Sequence, residues 1–120
     1  MAIQPDNTIL TALHYLFSHS DGKIIAHCLD LDLVTSGENI EKAEERLNAV
    51  VLAQIEMCFT SGNFGQLRFQ APTEYWQAMS DAHELGRSHL EVEVPPVVLP
   101  VKRSVVTLSV YRGETLAKAA

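Results

Sequence analysis

Two alternating apolar runs, "ALHYLFSH" at 12–19 and "IIAHCLDL" at 24–31, flank the step Ser20-Asp21-Gly22-Lys23. Asp-Gly between such runs predicts a two-residue hairpin loop, because a type I′ turn needs positive φ at both central positions. With Asp21-Gly22 as that loop, Ser20 faces Lys23. The rest of the register follows: His19 opposite Ile24, Phe17 opposite Ala26, Tyr15 opposite Cys28. Side chains alternate across a strand. Leu13, Tyr15, Phe17, Ile24, Ala26 and Cys28 therefore form one face, the expected core. His14, Leu16, Ser18, Ile25, His27 and Leu29 form a mixed face, suited to water or to an interface. A slip of one residue would exchange the two faces.

Beyond the hairpin, "LDLD" at 29–32 reads as a bend and "LVTSG" as a short third strand ended by Gly37. Asn39 is a natural N-cap for a helix that starts at Ile40 and runs to about Thr60. Glu38 and Glu41 sit where the helix dipole favours anions. Ile40, Ala43, Leu47, Val50, Val51, Ile55 and Cys58 recur at helical spacing and mark a buried stripe. Gly62 and Asn63 are the expected stop. A second helix is expected over "EYWQAMSDAHEL" (74–85), with Thr73 as N-cap and Gly86 as stop. "HLEVEVP" at 89–95 alternates as a strand, and the prolines of "PPVVLP" interrupt it. "RSVVTLSVYR" at 103–112 reads as a final strand, with "GETLAKAA" as a frayed tail.

The chain has 120 residues, which suits one domain. Residues 1–86 form the expected core. Residues 87–120 form an extended strand segment of the same domain or of an oligomer interface. No apolar run reaches the ~18 residues of a membrane span, and Met1 to Leu10 lacks a signal-peptide pattern. A cytoplasmic protein is expected. Cys28 and Cys58 each lie in an apolar-periodic segment and read as buried free thiols.

The net charge of −6 is uneven: twelve acids against four bases in residues 1–85, three against five in 86–120. An acidic body repels phosphates and disfavours nonspecific nucleic-acid binding. It suits the approach of a basic protein.

The order strand, turn, strand, bend, short strand, glycine, long helix in "DGKIIAHCLDLDLVTSGENIEKAEERLNAVVLAQIE" resembles the HicB-like antitoxin family. The residues that carry the likeness are Asp21-Gly22, Leu29-Asp30-Leu31-Asp32, Thr35-Ser36-Gly37, and Glu41 with Ala43. It covers about residues 10–60. The resemblance implies an α+β fold similar to a truncated ribonuclease H architecture. That fold is a three-stranded antiparallel meander, a long helix packed on one sheet face, a second short helix, and C-terminal strands. It also implies a role: binding and neutralising, by occlusion, a small basic HicA-type toxin that cleaves RNA. Neither catalysis nor a cofactor is expected. Many members of the family carry a C-terminal helix-turn-helix or ribbon-helix-helix module. One strand and a short tail leave no room for it here, so DNA binding is doubtful. Lys102, Arg103 and Arg112 read as solvated edge-strand charge.

The expected partner contacts are the acidic residues Asp30, Asp32, Glu38, Glu41 and Glu45. The late alternating strand, through Val105, Thr107, Ser109 and Tyr111, is the expected interface of a homodimer or higher even oligomer, since an unpaired edge is a liability. The alternative is an orphan oligomeric module of the same fold, structural or regulatory, without a toxin. A metal-dependent nuclease ranks below both. It needs several converging carboxylates, and Asp30 and Asp32 flank a bend, where carboxylates commonly cap turns. His14 and His27 are diagonal neighbours on the mixed face, but two ligands do not make a zinc site. His83 and His89 flank the end of the second helix, where imidazolium complements the dipole. Trp76 reads as a packing residue.

Overall fold

The computed structural model describes residues 12–62, 70–94 and 104–118. The fold is α+β. Strands β1 (Ala12–Ser20), β2 (Lys23–Cys28) and β3 (Leu33–Gly37) lead into helix α1 (Ile40–Ser61). Helix α2 (Thr73–Ser80) and strands β4 (His83–Val94) and β5 (Ser104–Lys118) follow. All five strands share one sheet in the order β3-β2-β1-β5-β4. β1 runs antiparallel to β2 and parallel to β5, and β4 runs antiparallel to β5.

The hairpin obeys its turn chemistry. Asp21 and Gly22 have φ of 50° and 78°, and Ser20 pairs with Lys23, Phe17 with Ala26, and Tyr15 with Cys28. Leu13, Tyr15, Phe17, Ala26 and Cys28 are fully buried beneath α1. The helix begins where Asn39 accepts a hydrogen bond from the Lys42 backbone N–H at 2.8 Å. It ends at Gly62, whose φ of 74° lets its N–H cap the Cys58 carbonyl. Its buried seam is Ala43, Leu47, Val51, Ile55 and Cys58. Val50, expected in that stripe, is 39% exposed. A seam stepping mostly by four residues excludes the position one step before Val51.

The mixed face of the hairpin is covered by α2. Leu16, Leu29 and Ala71 form a second, smaller core with Tyr75, Trp76, Ala78, Met79 and Ala82. The sheet therefore carries a helix on each face.

The second helix departs from expectation at both ends. α2 stops at Ser80, and residues 83–86 belong to β4, where His83 pairs with Glu114. Thr73 is the first helical residue, and no side chain caps that end. Gly86, at φ 90°, lies at a bulge between Glu84 and Gly86 on β4, and pairs with Arg112 rather than closing a helix. His83 and His89 accordingly lie on β4 and serve no helix terminus.

The stretch 113–118 is not a tail but the continuation of β5, paired to β1 through Leu16–Gly113, Phe17–Glu114 and His19–Lys118. A Cβ on Gly113 would lie 3.0 Å from that of Ala82 and 3.3 Å from Met79, so the glycine admits Met79 of α2 and Ala82, just after it, to the sheet. The last strand is enclosed over only part of its length. From Ser109 onward β5 lies between β1 and β4, while residues 104–108 pair with β4. The boundary expected at residue 86 falls inside β4. The proline run 95–100, Asn63, Lys102 and Arg103 lie outside the described residues.

Candidate partner-binding surfaces

The five acidic residues do not form one surface. Asp30 and Asp32 sit on the β2–β3 turn, at one end of β3, and Glu38 sits beyond the other end. The intervening strand of five residues is itself roughly 13 Å long, at about 3.3 Å per step.

Asp30 is committed inside the fold. Its Oδ2 accepts from the His14 backbone N–H at 2.6 Å, and its carboxylate lies 3.2 Å from His14 Nδ1. Its side chain is 14% exposed. His14 is held from both sides as well: Tyr111 stacks on it at 5.3 Å and Trp76 meets it edge-on at 5.2 Å. The hairpin register predicts this neighbourhood, because it sets Leu29 beside His14.

Asp32 takes φ 54°, a left-handed conformation that aspartate tolerates. Its Oδ1 lies 2.7 Å from Nε2 of the buried His27, whose ring meets Tyr75 at 4.8 Å. Each histidine thus has its own carboxylate, and His19 has Glu114 at 2.8 Å. Among the described residues no three His, Cys, Asp or Glu side chains group so as to hold a metal.

Glu38, Glu41 and Glu45 are exposed around the first two turns of α1. Glu41, Glu44, Glu45 and Asn48 line a shallow depression there, together with Lys42. Lys42 Nζ approaches Glu45 at 3.8 Å, which leaves the patch acidic. Two members of the depression point toward the sheet. Glu44 pairs with Arg112 at 2.9 Å and accepts from Ser88 Oγ at 3.0 Å. Asn48 accepts from the buried Tyr15 hydroxyl at 2.7 Å. Arg112 is therefore not the solvated edge charge expected of it. Its link to Glu44 spans 68 residues, and no local pattern announces it.

The expected oligomer residues Val105, Thr107, Ser109 and Tyr111 lie on one face of β5. Val105 is 59% exposed and Tyr111 stacks on His14. Their partners on β4 are Glu93, Glu91, His89 and Arg87, and Arg87 also lies over the Tyr111 ring at 5.5 Å. The sequence analysis names His89 but not Arg87, Glu91 or Glu93, and all four side chains are exposed on this strand.

No described helix is long and apolar enough to cross a membrane. Comparison with protein-family models, with curated proteins and with solved structures finds no match for this chain.

Proposed function

We propose that this chain is a HicB-like antitoxin-type protein of the cytoplasm that binds a small basic HicA-type toxin and blocks its RNA-cleaving site by occlusion. The observation that carries the reading is the acidic start of α1. Glu38, Glu41 and Glu45 stand exposed on a helix that is capped at both ends and seated on a closed core. Such a platform steers a basic partner and holds it without first having to order itself. The contact set narrows to these three glutamates. Asp30 is engaged with His14, and Asp32 lies at the far end of β3 with His27.

The test is an RNA-cleavage assay with a purified HicA-type toxin. RNA survives when the chain is added at a one-to-one ratio. Glu41→Lys with Glu45→Lys weakens protection about tenfold or more, as expected for charges at an electrostatic interface, while circular dichroism shows the chain still folded, with Tm modestly lowered because lysine at position 41 opposes the helix dipole. RNA degraded equally with and without the wild-type chain sinks the proposal and favours an orphan module without a toxin.

A further inference from the structure

The free edge of the sheet at β4 carries a charge pattern that is complementary to itself. β4 is the terminal strand of the sheet, and among the described residues it pairs only with β5. Arg87, His89, Glu91 and Glu93 are exposed and alternate along it. Their partners on β5 are Tyr111, Ser109, Thr107 and Val105, so all four project from one sheet face. Basic groups occupy the N-terminal half of the run and acids the C-terminal half.

We propose that two copies of this chain pair edge to edge, antiparallel, through β4, about a two-fold axis at Leu90. In that register Arg87 of each copy faces Glu93 of the other, His89 faces Glu91, and Leu90 faces Leu90. The five-stranded sheets join into one of ten strands.

Two comparisons favour this register over its neighbours. Directly opposed residues of an antiparallel pair share a face, so the register can shift only in steps that move the axis by one residue. Moving the axis to Glu91 sets Glu91 against Glu91, a like-charge pair that destabilises. Moving it to His89 keeps one opposite-charge pair, Arg87 with Glu91, but sets histidine against histidine and leaves Glu93 facing Leu85, the extra residue of the bulge. The register pairs Gly86, at the bulge, with Val94, so the described strand from Gly86 to Val94 is paired along its length. Between them the strand carries no proline, no lysine and no bulge, which are the usual means of blunting an edge.

An isologous contact of this kind is what closed two-fold dimers use. It replaces the pairing expected of β5, whose edge beyond Ser109 is taken by β1. It stands apart from the toxin-binding reading, because α1 and β4 present different surfaces.

The test is a charge swap followed by sedimentation equilibrium of the full chain at tens of micromolar. The wild type sediments as a dimer. Arg87→Glu alone and Glu93→Arg alone each oppose like charges and shift the protein toward monomer by about tenfold or more in dissociation constant. Mixing the two single variants restores a dimer, now a heterodimer, and the double variant R87E/E93R restores the homodimer. Circular dichroism confirms that each variant folds. A monomeric wild type overturns the proposal. So does a dimer unaffected by either single variant, or one that mixing fails to restore.

Discussion

Arg112 Nη2 lies 2.9 Å from Glu44 Oε1, and Arg112 Nε donates to the same oxygen at 3.1 Å. This pair ties the middle of β5 to α1 across the α1 face of the sheet. Arg112 Nη1 also donates to the Leu85 carbonyl at 3.2 Å, and Ser88 Oγ donates to Glu44 Oε2. The two side chains are 21% and 14% exposed. Removing either leaves the other charge half-buried without its partner, a larger loss than an exposed pair would show.

Arg112→Ala therefore destabilises the chain by about 2–3 kcal/mol, below the range for fully buried pairs because some water reaches the site. The double variant Glu44→Ala/Arg112→Ala costs less than the two singles combined. Their coupling is about 1–2 kcal/mol, as found for residues in one ion-pair network. Urea unfolding of the four chains measures it. Additive costs would mean that the contact contributes nothing.

Gly37 makes a second prediction, which rests on space and not on backbone conformation. A Cβ there would lie 2.6 Å from the Ala43 backbone nitrogen and 3.0 Å from its Cα. β3 and the first turn of α1 meet at this point, and Thr35 Oγ1 donates to the Ala43 carbonyl at 3.0 Å. Gly37→Ala forces helix and strand apart and costs about 3 kcal/mol, at the upper end for overpacking. Gly22→Ala is the control. Its Cβ would meet nothing within 4 Å, so it carries only the strain of φ 78°, about 1 kcal/mol. Equal urea midpoints for the two variants would refute the assignment.

How far the sequence was legible depends on how far apart the interacting residues lie. The hairpin, the Asn39 cap and the Gly62 stop are set by neighbouring residues, and each stands where its local chemistry puts it. Gly86 and Gly113 were misleading because a glycine allows several backbone roles. One serves a bulge and the other makes room for Met79 and Ala82, and only the tertiary pairing of β4 with β5 distinguishes these roles from a stop. The candidate site divides in the same way. Glu41 and Glu45 follow from helical phase, but Asp30 is drawn inward by His14, sixteen residues earlier, across a strand pair. Glu44 reads as a surface acid until Arg112 arrives beside it.

The buried thiol and phenol predict an alkaline limit to stability. Burial is the main force that pushes Cys28 up from 9.0 to about 12, helped by the Asp30 carboxylate and opposed by backbone hydrogen bonds from Leu31 and Asp30. Burial also lifts Tyr15 far above its ordinary 10.0, with smaller contributions from Cys28, Glu44 and Asp30. Both groups hold their protons more tightly in the folded chain than in the unfolded one. Below pH 9 neither state has lost these protons, and stability does not depend on them. Above pH 9 the unfolded chain releases the Cys28 proton while the folded chain keeps it, so unfolding becomes easier as pH rises. The slope is about 1.4 kcal/mol per pH unit for one such group. Cys58, raised by its own burial, contributes in the same direction, and Tyr15 adds to the slope above pH 10. Urea unfolding at pH 8, 9, 10 and 10.5 should show stability falling and steepening. Cys28→Ala should make the whole fall from pH 9 to 10.5 shallower by one group's share, leaving the contribution of Cys58 and, above pH 10, that of Tyr15. A stability that stays level from pH 8 to 10.5, or rapid alkylation of Cys28 in the folded chain at pH 8, would show that the thiol is not held protonated by burial.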